Sequence, residues 1–129
     1  MYDMTRGYQA TEEEIHSVLD WFGRWDALAV AKDVEALADL SYFPVNAVTD
    51  GSARIWDRER FLVEMGKALA GSGTMESERT PVFVNANLVV VFTDAVFTFG
   101  DDSVETRYAD ILIKVDGDWR FQTMAQGGW

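Results

Sequence analysis

The chain has 129 residues, 48% hydrophobic and 13% aromatic, a composition that excludes disorder and suits one domain spanning 1–129. The formal net charge of −11, from 22 acidic against 11 basic residues, argues against binding a nucleic-acid backbone or an anionic membrane, where clustered lysine and arginine supply the affinity. Cysteine is absent, which removes disulfides and thiolate metal sites and is compatible with a reducing cytoplasm. No apolar run reaches the roughly 18 residues of a membrane span, and the opening MYDMTRGYQATEEE lacks the order of a signal peptide.

In chain order, Thr11 and Glu14 form a capping-box pattern with Glu12 and Glu13 placed against the helix dipole. Ile15, Val18, Leu19, Phe22 and Trp25 follow helical spacing, so a first helix is predicted over 11–30, with Asp20 and Arg24 able to pair at i,i+4. Asp33 caps a short second helix, VEALADL, and Pro44 ends any helical continuation. Asp50-Gly51 between two short β-like runs predicts a hairpin. Asp57 then opens a third helix carrying Phe61, Leu62, Met65, Ala68 and Leu69 on one face, with Gly71 and Gly73 as stops.

From about residue 76 the period changes to strand, turn, strand. Four antiparallel strands are predicted, with turns at 85–87, 100–103 and 116–118. Ile111, Leu112 and Ile113 are apolar towards both faces, so the sheet needs cover on both sides. Helices are expected to cover one side, and a second copy of the chain is the expected cover for the other.

This order of elements resembles the nuclear transport factor 2-like superfamily, which includes ketosteroid isomerase, scytalone dehydratase and the SnoaL-like polyketide cyclases. The residues carrying the likeness are the tryptophan-bearing first helix, AKDVEALADL, IWDRERFLVEM and YADILIKVDGDWRF, spanning about 8–127. The resemblance implies an α+β cone: three N-terminal helices packed on a curved, mainly antiparallel sheet. It also implies a pocket between the first helix and the concave sheet, and dimerisation. Fold alone does not choose among the functions such a cone can host.

Carried over position by position, the isomerase's helix phenol falls on Trp25, and its proton-moving aspartate falls near Thr49 or Asp50. Its oxyanion aspartate falls on Ile111, beside Asp110. Strand parity sets Arg107, Ala109 and Ile111 on one face and Tyr108, Asp110 and Leu112 on the other; a β-bulge could bring Asp110 inside. Asp50 also suits the first position of an Asp-Gly turn. In the last strand Gln122, Met124 and Gln126 share a face, so Arg107, Gln122 and Gln126 are expected to converge in a cavity. There Arg107 would hold an anion; the alternative is an exposed acid across the sheet.

Trp25, Tyr42 and Trp56 are expected as core residues or pocket walls, and Trp129, after two glycines, as a cover for the cone mouth, a part of a dimer interface or a mobile end. His16, the one histidine, lies off the apolar face, and neither a metal site nor a cofactor motif is present. The leading expectation is a small-molecule-binding protein whose ligand is mostly apolar with a polar or anionic end. The alternatives are an isomerase-, dehydratase- or cyclase-type enzyme using Asp50 or Asp110 as acid and base, and a protein-interaction module using the sheet face.

Overall fold

The computed structural model describes residues 5–71 and 73–128; Trp129 lies outside them. Helix α1 (Glu12–Val30) starts at the predicted box. Thr11 Oγ1 accepts from the Glu14 amide at 3.1 Å, and the Glu14 carboxylate accepts from the Thr11 amide at 2.9 Å. Helix α2 (Val34–Asp39) and helix α3 (Arg58–Ala68) are capped in the same way by Asp33 and Asp57, whose carboxylates take the amides of Ala36 and Arg60. Asp20 and Arg24 do not form the expected ion pair. Both line a surface groove of about 510 Å³ beside Trp119 and Arg120.

Strands β1 (Ser41–Thr49) and β2 (Ser52–Trp56) form the hairpin around Asp50-Gly51, with Gly51 at φ 69°, where a side chain would be strained. The chain is already extended at Ser41, so Pro44 stands inside a strand and does not stop a helix. The register between β1 and its neighbour shifts there, between Ser41 and Asn46. Strands β3 (Thr74–Asn85), β4 (Leu88–Phe99), β5 (Asp102–Val115) and β6 (Asp118–Gln126) follow, joined at the three predicted turns; β3 begins slightly before the expected residue 76.

The six strands lie in the order β2-β1-β6-β5-β4-β3, antiparallel throughout except for the parallel β1–β6 pair. The helices pack on the concave face. Val18, Phe22, Leu37, Phe61, Leu112 and Phe121 are almost fully removed from water between them. The convex face carries Val48, Ile55, Val84 and Phe92, all exposed. Among the described residues no helix is long and apolar enough to cross a membrane.

The last strand changes parity midway. Asp110 pairs with Met124, Ile111 with Thr123, and Leu112 with Phe121, so Gln122 is an extra residue on β6. This bulge lets Trp119 and Phe121, then Met124 and Gln126, all face the helices, whereas strict alternation would place these two pairs on opposite faces.

Candidate functional site

Two rows of side chains cross the concave face near the end of α1. The first runs Arg79–Thr93–Tyr108–Gln126 over β3, β4, β5 and β6; the second runs Pro81–Val91–Asp110–Met124–Ala47, reaching β1. Directly paired residues share a face, so the two rows form one surface. Helix α1 lies over it because Val18 and Phe22 are buried at i,i+4 spacing, and the next turn of that stripe is Asp26.

Asp26 meets Arg79 in a two-pronged ion pair: Arg79 Nη2 donates to Asp26 Oδ1 at 3.0 Å, and Nη1 donates to Oδ2. Arg79 Nε donates to Thr93 Oγ1 at 3.3 Å, and the guanidinium stacks on the Phe22 ring with 4.2 Å to its centroid. Burial works against the charge of Arg79, but the Asp26 hydrogen bond and Coulomb attraction, with help from Tyr108, leave its pKa above the ordinary value.

Asp110 lies beside this pair and is 5% exposed. No donor among the described residues hydrogen-bonds its carboxyl. Desolvation raises its pKa from 3.8 to about 7, with Arg79 pulling it down and Asp26 pushing it up. Tyr108 is mostly buried, and burial likewise raises its phenol pKa. Its hydroxyl rests 3.8 Å from Met75 Sδ, a weak acceptor that a ligand oxygen could replace.

Asp110, Met124 and Gln126 are thus brought together, and several expected companions are not. Arg107 and Ile111 point to the convex side because β5 alternates regularly and Leu112, fully buried, fixes the inward parity. Arg107 is 71% exposed and donates from Nε to Asp94 Oδ1 at 2.6 Å, the exposed-acid alternative. That hydrogen bond lowers the Asp94 pKa and raises that of Arg107. Gln122 sits on the bulge and donates to the Pro44 carbonyl at 3.3 Å, away from the cluster. The expected convergence of Arg107, Gln122 and Gln126 does not occur.

Tyr42 is exposed, one residue out of phase with Phe43, which packs edge-on against Phe61. Trp25 is stacked between Trp21 at 5.3 Å and Phe121 at 4.9 Å, and Trp56 is 4% exposed, so both belong to the core packing. Asp50 keeps its turn role: it is exposed, and its carboxylate accepts from the Gly128 amide at 3.0 Å, tying down the end of β6.

Asp26, Arg79, Thr93 and Tyr108 were not singled out from the sequence. A signal existed for the first two. Asp26 continues the Val18–Phe22 stripe, and Arg79 shares strand parity with buried Phe83. Each places a charge on the apolar face of its element, which is costly unless the charge is paired. Among the described residues no cluster of His, Asp and Glu could hold a metal ion.

No family model matches the sequence, and no curated protein is similar to it at the sequence level. Solved structures are similar in fold. A nuclear transport factor 2-like protein of unknown function from Shewanella oneidensis MR-1 superposes with a TM-score of 0.74 at 10% identity, over 88% of this chain and 98% of its own. A putative scytalone dehydratase from Novosphingobium aromaticivorans DSM 12444 gives 0.69 at 15%, over 87% and 81%. A putative calcium/calmodulin dependent protein kinase II association domain from Xanthomonas campestris gives 0.72 at 19%, over 96% and 95%. The chain therefore has the nuclear transport factor 2-like cone fold.

Proposed function

We propose that the concave site binds a small, largely apolar molecule with a polar end and that Asp110 moves a proton on it, as in isomerase- or dehydratase-type chemistry. One observation carries this reading: the Asp110 carboxyl belongs to a residue only 5% exposed and has no hydrogen-bond donor among the described residues. A group balanced between its two forms near neutrality can both take and return a proton. In such a step the Asp110 carboxylate removes a proton from carbon next to a carbonyl. The Tyr108 hydroxyl, leaving Met75, donates to the carbonyl oxygen as charge develops there, and the proton is then delivered to another carbon. Val91, Met124 and Ala47 supply the apolar floor. The dehydratase name borne by one structural neighbour is of the same reaction class.

Proton exchange in deuterated water tests this, using a panel of small cyclic ketones and enones read by mass spectrometry. The wild type is expected to exchange α-hydrogens, and Asp110→Asn to lose at least about 100-fold of that rate. Undiminished exchange by the variant would remove Asp110 from the chemistry.

We also propose that the convex face binds a second copy of the chain. Phe92, Ala109, Ala125 and Val48 follow one another directly across four strands there, an apolar row that a two-fold axis can lay against itself. Light scattering should give twice the chain mass, and Phe92→Glu the mass of one chain. A monomeric wild type refutes the dimer.

A further inference from the structure

We propose that Asp26 acts as an internal counter-anion, occupying the fork of Arg79 so that the concave site accepts only ligands whose polar end is uncharged. This rests on the proposed site only in placing a ligand on the concave face. Arg79 is 8% exposed, and its guanidinium is engaged on several sides: both terminal nitrogens donate to Asp26, Nε donates to Thr93, and one flat face lies on Phe22. A ligand carboxylate would need the same two-pronged geometry that Asp26 already fills.

Among the described residues, Arg79 is the cation that acts on Asp110, and the other side chains of the two rows are not cationic. Helix α1 contributes Asp26, β4 contributes Thr93 and Val91, and β5 contributes Tyr108 and Asp110. Strand β6 offers Met124 and Gln126, and β1 offers Ala47. An anion entering here would meet carboxyl groups on two sides and a guanidinium already spoken for. A carbonyl or hydroxyl meets the Tyr108 hydroxyl and the Asp110 carboxyl, to which no described residue donates, both suited to a neutral partner. The ligand class is therefore an apolar body bearing a ketone, aldehyde, amide or hydroxyl. The anionic end expected from Arg107 is excluded from this face, because Arg107 lies on the other.

Benzoate and benzamide, equal in shape and different in charge, test the idea by NMR of the Arg79 Nε–H. At about pH 6 benzoate is ionised, while the pKa of about 7 keeps most of the Asp110 carboxyl protonated. The wild type is expected to bind benzamide at least about 10-fold more tightly than benzoate, and Asp26→Ala to reverse the order by freeing the fork. Asp26→Asn, which keeps the side chain's shape, serves as a second variant and should weaken the wild-type preference. If the wild type binds benzoate as well as benzamide, or binds neither, the proposal falls. Repeating the series in Asp110→Asn separates the two ideas: charge selection survives there even if no proton transfer is found in any variant.

Discussion

Asp110→Asn is expected to stabilise the protein above neutrality, by about 3 kcal/mol at pH 8 in urea denaturation. The sign follows from where the proton sits. Below about pH 4 the carboxyl is protonated in both folded and unfolded chains and contributes nothing. Between pH 4 and 7 the unfolded chain gives up the proton while the folded one keeps it, so stability falls as pH rises. Above 7 the full penalty applies. A rise from 3.8 to about 7, at about 1.4 kcal/mol for each pH unit, makes about 4 kcal/mol. An asparagine there has no charge to lose, but burying an amide without partners takes back about 1 kcal/mol. The advantage of the variant should therefore shrink steadily towards pH 4. A variant less stable than wild type at pH 8 would show that the Asp110 carboxylate is well solvated or well paired in the native state.

Removing the cation has the opposite sign. Arg79→Met keeps an apolar stem over Phe22 but leaves Asp26 without this partner and Asp110 without the guanidinium that lowers its pKa. Breaking a buried ion pair by deleting one member costs roughly 3–5 kcal/mol. Here Asp26 is 35% exposed and can take water in exchange, which reduces the expected loss to about 2–3 kcal/mol at pH 7. Carbon-13 titration of the Asp110 carboxyl should show its midpoint moving above 7. Adding Asp26→Asn to Arg79→Met should recover most of the stability and bring the midpoint back down, since Asp26 pushes it up. A single variant as stable as wild type, with an unmoved midpoint, would mean that the ion pair and Asp110 do not sense one another.

The helices and their caps were legible in the sequence because each depends on residues a few positions apart. Thr11 with Glu14, Asp33 and Asp57 announce helix starts, and the apolar spacing that follows shows which side is buried. The four long strands and their turns were legible from alternation and from Asn, Asp and Gly clusters. The site was only partly so. Tyr108, Asp110 and Leu112 are correctly grouped on one face by parity alone. Which face looked inwards was not decided locally: it depends on Leu112 packing under the helices and on an extra residue in a different strand. Arg107 and Arg79 also look alike in sequence, each an arginine in a strand beside polar residues. The distinction is made 53 positions from Arg79, by Asp26 arriving on α1, and no short window contains that contact.

The bulge at Gln122 makes β6 two half-strands in series with opposite phase. The half next to the β5–β6 turn, with Trp119 and Phe121, is committed to gripping the helices, while the half beyond, with Met124 and Gln126, belongs to the concave rows around Asp110. Because the phase slips between them, the pattern that secures the scaffold does not dictate which residues face a ligand. The distal half of the strand can be rewritten residue by residue, while the proximal half keeps the helices packed on the open sheet.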